Sequence, residues 1–402
     1  MKRFMLKLNF TKLKKPTPMY YVALKMLFGD RSKYIAMIVG ISFSALIMTQ
    51  QPAIFVGLLS RTYSFVKDVS LPDIWVMDTG VQYVEEHKPI RDTDLNRIRG
   101  ITGVAWAVPM YKCLLTAKLP DGSTRTIDIT GLDDTTLVGA PGRILQGELK
   151  DLKRPDGIFV DFEAAQRRLR IQGANGTSRP LGVGDVVEIN DRRAVVVGYI
   201  KATRNFVLQP QVYTTYSRAL AYQPLTRRQL TYILVKSKEG QNLQELCQRI
   251  NYHTGLKAYT AEEFMGVNLD YWMKNTGIPI NFGTAVLLGF IVGAAVVGQT
   301  FYNFIQENIK HYAALKAMGL RNRLLAKMVV LQACVVGMVG YGIGVGLTTL
   351  FGLKFNDSIL AFRMPFGVLL FSGVGVFLII LMTAVVGIRR VIRVDPSVVF
   401  RG

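Results

Sequence analysis

Apolar residues gather into four long runs, and the chain between them reads as two different kinds of polar segment. The runs are 34–59, 279–304, 325–353 and 364–388. Each exceeds the roughly 20 residues that a helix needs to cross a bilayer. None has a charge near its centre, where Arg or Lys would cost about 2.5–3.5 kcal/mol. Thr49, Gln50, Gln51 and Pro52 interrupt the first run. A kink near its end and a polar notch facing a substrate are both open readings.

The pattern changes between the first and second runs. Asp73–Asp78 is a short strand, and Asp92–Arg99 is a helix with Asp or Thr as N-cap and Gly100 as its stop. Residues 104–109 and 112–118 return to strand character. The same order recurs at Tyr232–Val235 (strand), Leu243–His253 (helix, with Gly255 beyond it) and Leu256–Tyr259 (strand). Two βαβ-like units at the ends of one segment predict a split αβ layer, with an insert between its halves. The insert, 119–230, is rich in hairpin signals. Pro120-Asp121-Gly122 separates two alternating runs, and Asn190-Asp191 separates two more. Asp161–Leu169 reads as a short helix. Thr260, with Glu263 three places on, opens a helix to Asn275 that leads into the second run. The acidic GLDD at 131–134 lacks the ligand spacing of a calcium loop and reads as turn chemistry.

Composition agrees with a chain that is part membrane and part aqueous. Half of the 402 residues are apolar, yet 19% are charged, and mean hydropathy is +0.25. The net charge of +21 is unevenly placed. Residues 1–33 hold nine Lys or Arg against one acid, 303–327 hold five against Glu307, and the tail from Ile388 holds four against Asp395. The long segment between the first two runs has little net charge for its length. The positive-inside rule then puts both termini and the 305–324 loop in the cytosol, with the large segment outside. Basic residues that flank membrane runs argue for topology and anionic-lipid contact, not for nucleic acid. The first run is preceded by too long a basic region to be a cleaved signal, so it reads as a retained anchor. Met19–Leu27 has helical apolar spacing, either as an in-plane helix or as an extension of that anchor. Cys334 lies in the third run; Cys113 and Cys247 lie in the outer segment, where a disulfide is chemically possible, but without framework spacing they read as free thiols.

Enzyme chemistry is missing from the motifs. There is no G-x-x-x-x-G-K-[ST] phosphate loop, no H-E-x-x-H, no paired-cysteine motif and no G-x-S-x-G elbow. His87, His253 and His311 are scattered. No metal and no cofactor is expected, and the chain is not expected to be an enzyme. Glycine is more informative. Gly289 and Gly293 make a G-x-x-x-G step in the second run, and Gly340 and Gly344, with Gly342 and Gly346, do so in the third. Such steps let helix backbones approach in lipid, within one chain or between two.

The loop QENIKHYAALKAMGL, 306–320, is the most structured polar segment. On a helix, Ile305, Ile309, Tyr312 and Ala313 share one stripe, while Glu307, Lys310 and His311 share the other side. Glu307 and His311 have a favourable i,i+4 spacing, and Gly319 is a natural stop. So short a helix needs a bilayer surface or a protein to dock on.

Three stretches carry a family resemblance. ENIKHYAALKAMG (307–319) is similar to the E-R-x-R-E-I-G-x-x-R/K-A-x-G segment of MacB/FtsX-type permeases, the mechanotransmission (type VII) class of ABC transporters. RRVIRVDPSVVF (389–400) resembles their closing R-R-A-A-R-x-D-P-x-E-A-L. DRSKYIAMIVGISFS (30–44) resembles the opening of their first span. The run 298–319 looks closest to the DevC-type branch, which exports glycolipid-type substrates. The departures are His311 for the family's second Glu, Ala313 for its Gly, and Val398 for the tail Glu.

The resemblance implies an α+β membrane protein with four transmembrane helices. A large extracytoplasmic domain would lie between spans 1 and 2. The expected layout is a cytosolic segment 1–33, spans at 34–60, 279–304, 325–353 and 364–388, and a cytosolic tail 389–402. The outer domain would cover 61–278, with 61–118 and 231–278 porter-like and 119–230 the β-rich insert. Residues 305–324 would hold a coupling helix on a separate ATPase subunit, which alone binds ATP. Glu307, Lys310, His311, Leu315, Lys316, Ala317, Gly319, Asp395 and Pro396 fall in the coupling segments. The implied partners are that ATPase, a second copy of the chain, a periplasmic adaptor, an outer-membrane channel and membrane lipids. The implied function is export of an amphiphilic substrate from the bacterial inner membrane. An FtsX-like regulator of a cell-wall hydrolase and a lipoprotein-release permease share the architecture.

Overall fold

The computed structural model describes residues 18–173, 176–223, 230–355 and 360–395. Contacts divide the chain into two compact units, one of Met1–Gly57 with Gly277–Gly402 and one of Leu58–Thr276. The chain opens with helices α1 (Pro18–Gly29) and α2 (Arg31–Thr62). Pro52 lies inside α2, which continues through it to Thr62. Thr49 Oγ donates to the Ala45 carbonyl at 2.7 Å, so this hydroxyl is satisfied within the helix.

The second unit runs α3 (Ser64–Asp68), β1 (Ile74–Met77), α4 (Asp92–Arg99), β2 (Val104–Lys118), β3 (Thr124–Leu132), β4 (Ile144–Gln146), β5 (Gly157–Asp161), α5 (Phe162–Arg167), β6 (Ile171–Gln172), β7 (Ser178–Arg179), β8 (Val186–Ile189), β9 (Arg192–Ile200), β10 (Gln211–Thr215), α6 (Tyr216–Ala221), β11 (Tyr232–Ser237), α7 (Leu243–Thr254), β12 (Lys257–Thr260) and α8 (Ala261–Asn275). Strand β1 is buried on both faces, which is why its sequence is a continuous apolar run. Ile74 and Val76 meet Ile98 of α4 and Leu246 and Ile250 of α7. Trp75 and Met77 point the other way, into a cluster with Tyr232, Leu234 and Phe264 of α8. Helix α8 begins with a full capping box: Thr260 Oγ accepts from the Glu263 amide at 3.2 Å, and the Glu263 carboxylate accepts from the Thr260 amide at 2.9 Å.

Ten of the strands form one sheet along the path β12-β1-β11-β2-β3-β10-β5-β9-β4, with β8 off the path beside β2 and β9, and β6 and β7 pair separately. Two expectations change here. Residues 104–109 and 112–118 are one 15-residue strand, β2, which pairs with β11 early and with β3 later. The expected break fell after Pro109, which cannot donate to a strand ladder, yet β2 runs through it with Pro109 beside Ile233 of β11. The 119–230 insert is also not only hairpins, since β10 runs parallel to β3 and β5 runs parallel to β9. The two expected hairpins are present, β2–β3 and β8–β9, the latter turning through Asn190 and Asp191 at φ 46° and 61°. Helix α4 is entered from Arg91 without a side-chain cap. Asp92 and Asp94 instead sit in its first turn, where the helix dipole favours them.

The first unit is completed by α9 (Ile278–Glu307), α10 (Ile309–Ala317), α11 (Asn322–Phe355) and α12 (Phe366–Ile392). Helices α2, α9, α11 and α12 are each long and apolar enough to cross a membrane. Glycine sets their spacing. A Cβ on Gly289 would stand 2.7 Å from Ile47, one on Gly340 2.7 Å from Ile41, and one on Gly344 2.6 Å from Ala45 Cβ. Gly293 faces Ser44, whose hydroxyl donates to the Gly289 carbonyl at 2.9 Å. These four glycines therefore bring α9 and α11 against α2 within this chain. Gly342 and Gly346 face open space. Leu287, Leu288, Ile291 and Val292 of α9 are exposed apolar side chains, as lipid-facing positions are.

Candidate functional site

The segment 306–320 is not one helix. Asn308 ends α9 and opens α10, with its Nδ2 donating back to the Phe304 carbonyl at 2.9 Å. The break separates Glu307 from the α10 side chains. Glu307 forms an ion pair with Lys33 at the start of α2, in place of the i,i+4 contact with His311 that the spacing suggested. Lys33 also pairs with Asp30 at 3.0 Å.

The apolar stripe is buried as expected: Ile305, Tyr312 and Ala313 are inaccessible, and Ile309 and Leu315 pack beside them. Tyr312 Oη donates to Gln332 Oε1 on α11 at 2.8 Å, and Gln332 Nε2 donates to the Ala23 carbonyl on α1 at 2.9 Å. Burial pushes the Tyr312 phenol up to about 12, so it stays an O–H donor. At Ala313, where the resembled family has Gly, the extra methyl is fully enclosed.

Lys316 turns back onto its own bundle. Its Nζ donates to the carbonyls of Ile392 at 2.8 Å and Val394 at 2.9 Å, which closes the C-terminal end of α12. Arg390 Nε donates to Gln306 Oε1 at 3.0 Å. Gly319 has φ 91°, its amide donates to the Lys316 carbonyl at 3.0 Å, and the Leu320 amide donates to Leu315 at 3.1 Å. This is a Schellman stop, and it needs a residue free to adopt positive φ.

Open to solvent are Glu307, Lys310, His311, Ala317, Met318 and Gly319, followed by Arg321, Asn322 and Arg323. Met318 is 71% exposed. Asp395 is exposed but engaged, and Pro396 lies outside the described residues. The structure thus separates the residues of the motif. Lys316 turns inward, Glu307 pairs with Lys33 while most of its side chain stays exposed, Leu315 is packing, and Lys310 and His311 lie on a free face. Sequence reasoning did not single out Lys33, Gln306, Arg390 or Gln332. Gln332 had a signal, as a lone amide in the apolar run KMVVLQACVVG.

A second polar concentration lies in the other unit. Lys112 and Asp128 form an ion pair with 1% and 2% of their side chains exposed, and Asn205 Nδ2 donates to the same carboxylate at 2.9 Å. Glu85 feels both charges. Burial pushes its carboxyl up to about 7, with both oxygens shut from solvent and unpartnered. Burial likewise holds His87 down near 3, so its ring is neutral. Among the described residues no group of His, Cys, Asp or Glu is arranged to hold a metal, and the three cysteines are free.

Comparison with known proteins gives two family matches. A MacB-like periplasmic core domain model matches residues 35–251, and an FtsX-like permease C-terminal model matches 283–396. An uncharacterized ABC transporter permease of Mycobacterium tuberculosis is 27% identical over 318 residues, covering 78% of this chain and 80% of that protein. Another, from Methanocaldococcus jannaschii, is 23% identical over 242 residues, covering 56% and 59%. Among solved structures, the periplasmic region of MacB from Actinobacillus actinomycetemcomitans matches 52% of this chain and 96% of its own, at 13% identity and TM-score 0.37. The extracellular domain of the transporter YknZ matches 48% and 99%, at 12% identity and TM-score 0.34. With four apolar helices, a mixed αβ unit between the first and second of them, and these two matches that together span most of its length, the chain belongs to the MacB/FtsX-type family of ABC transporter permeases.

Proposed function

We propose that this chain is the membrane subunit of an exporter, and that α10 is the helix through which a separate ATPase subunit drives it. The observation that carries the reading is the division of α10 into an anchored side and a free side. Tyr312 and Lys316 hold it to α11 and α12, and Glu307, at the end of α9 that leads into it, pairs with Lys33 of α2, while Lys310, His311 and Met318 face outward. A helix so held transmits a push instead of absorbing it. A cationic face with an exposed methionine fits a partner with an acidic rim around an apolar pocket.

On this reading ATP is bound by the partner, and the permease itself needs no cofactor. The termini and α10 are cytosolic, in line with the basic flanks. The working unit holds two copies of the chain in a bacterial inner membrane. The outer unit passes an amphiphilic substrate of glycolipid type to a periplasmic adaptor and an outer-membrane channel.

Co-purification from the native membrane tests the core of the proposal. An ATPase subunit is expected with the wild-type chain and is expected to be lost when Lys310 and His311 are changed to Glu. Glu307→Ala and Lys316→Ala are expected to keep the ATPase bound but to abolish export, because only the anchors to the spans are cut. If binding survives the charge reversal and export survives the loss of both anchors, α10 has no coupling role.

A further inference from the structure

We infer that Tyr312 and Gln332 are a positioning pair that fastens the N-terminal helix α1 to α10 through α11, so that the three helices move as one body. This goes beyond the ATPase contact just proposed and rests on it only for its consequence.

Three observations converge. Ala23, Tyr312 and Gln332 are all inaccessible, with 0%, 1% and 0% exposure. The amide of Gln332 is used at both ends, accepting at 2.8 Å from a phenol on α10 and donating at 2.9 Å to a backbone carbonyl on α1. The orientation is fixed by chemistry, because a carbonyl accepts only, so the NH2 must face α1 and the oxygen must face Tyr312. Finally, the surroundings do not call for an amide. Leu325, Met328, Val329 and Ala333 of α11 pack with Ala23 and Leu27 of α1, and an apolar side chain would fill the same space. An amide in that position without its two partners would be expensive. Helix α1 has only 12 residues and is too short to hold itself. Its attachment to α11 through Gln332 gives it a defined relation to α10 that no local sequence signal supplies.

The consequence is that force applied to α10 reaches α1 as well as the spans. The two side chains work as one unit, so removing either should have the same effect as removing both.

The test uses the full-length chain in nanodiscs, with its native cysteines replaced by serine. Spin labels are placed at Tyr21→Cys on the exposed side of α1 and at His311→Cys on the exposed side of α10. No nucleotide and no ATPase is present, so the result does not depend on the exporter reading. The parent is expected to give a narrow distance distribution. Tyr312→Phe and Gln332→Met, which keep the volume and remove the hydrogen bonds, are each expected to at least double its width, and the double variant to widen it no further. Gln332→Glu is expected to restore the narrow distribution at acid pH, where a protonated carboxyl accepts from the phenol and donates to the carbonyl. Unchanged widths in both single variants, additive effects, or no rescue by Gln332→Glu would each overturn the inference. Failure to co-purify an ATPase would overturn the exporter reading and leave this one standing.

Discussion

Lys112 is a cation in the middle of a strand with 1% of its side chain exposed, and Asp128 is what keeps it there. The pair lies between β2 and β3, and Lys112 Nζ also sits 4.4 Å from the Phe65 ring centre. Removing one partner strands the other as a buried charge, which costs about 3–5 kcal/mol. Lys112→Met is expected to destabilise the chain by that amount in detergent unfolding experiments, and Lys112→Met with Asp128→Leu by clearly less. A single variant as stable as the parent would sink this account. Glu85 makes a second residue-scale prediction. Its carboxyl is raised to about 7 from an ordinary 4.5, so between these values the folded chain holds a proton that the unfolded chain has released. Stability from this group is therefore present below about 4.5, declines as pH rises towards 7, and is flat above. Glu85→Gln is expected to remove that decline from a melting-temperature series, and an unaltered series would refute it. Neither residue announced itself in the sequence. A lysine in an alternating strand reads as outward-facing, and adjacent acids such as Glu85-Glu86 read as solvated surface, because the Asp128 charge that pairs Lys112 and the packing that buries Glu85 come from other elements.

At the scale of elements, glycines that look alike in sequence differ in what they touch. Gly344 meets Ala45 and the backbone of α2, whereas Gly346, two positions on, meets nothing. Gly344→Ala is therefore expected to lower the melting temperature by several degrees, and Gly346→Ala to leave it unchanged or raise it slightly, since alanine favours a helix. Equal effects would show that α2 and α11 are not packed through Gly344. Thr260→Ala removes one half of the cap on α8 and is expected to cost about 1 kcal/mol, measured by unfolding in the same detergent. That cap was readable from the spacing of Thr260 and Glu263, because both ends of the interaction lie within one helical turn. The break at Asn308 was not readable. At the break the Asn308 side chain returns to the Phe304 carbonyl, and the periodicity of 306–320 continues across it. As a result Glu307 belongs to α9 and to Lys33, not to the face of α10.

For the whole molecule, the four apolar helices and the αβ unit between the first two of them place the chain among MacB/FtsX-type permeases, and the resemblance of 307–319 and 389–400 pointed the same way. The expectation that holds the most functional weight is also the easiest to test at this scale. Loss of the ATPase from a Lys310→Glu, His311→Glu chain that still folds and inserts is the predicted outcome, and retention would move the contact elsewhere.

The sequence by itself determined the features whose causes are local. These are the four spans, from run length; the two hairpin turns, from Asp-Gly and Asn-Asp chemistry; the caps at Thr260 and Gly319; and the split of the αβ unit, from recurring strand and helix periods. Only the tertiary structure decided which polar groups share burial and which stay free. It joined Lys112 to Asp128, Gln332 to both Tyr312 and Ala23, and Lys316 to the end of α12. It also made one long strand of two short ones. The physical reason is the same in each case. A buried donor or charge is tolerable only with its partner, and when that partner is on another element no pattern within a single turn or strand can reveal it.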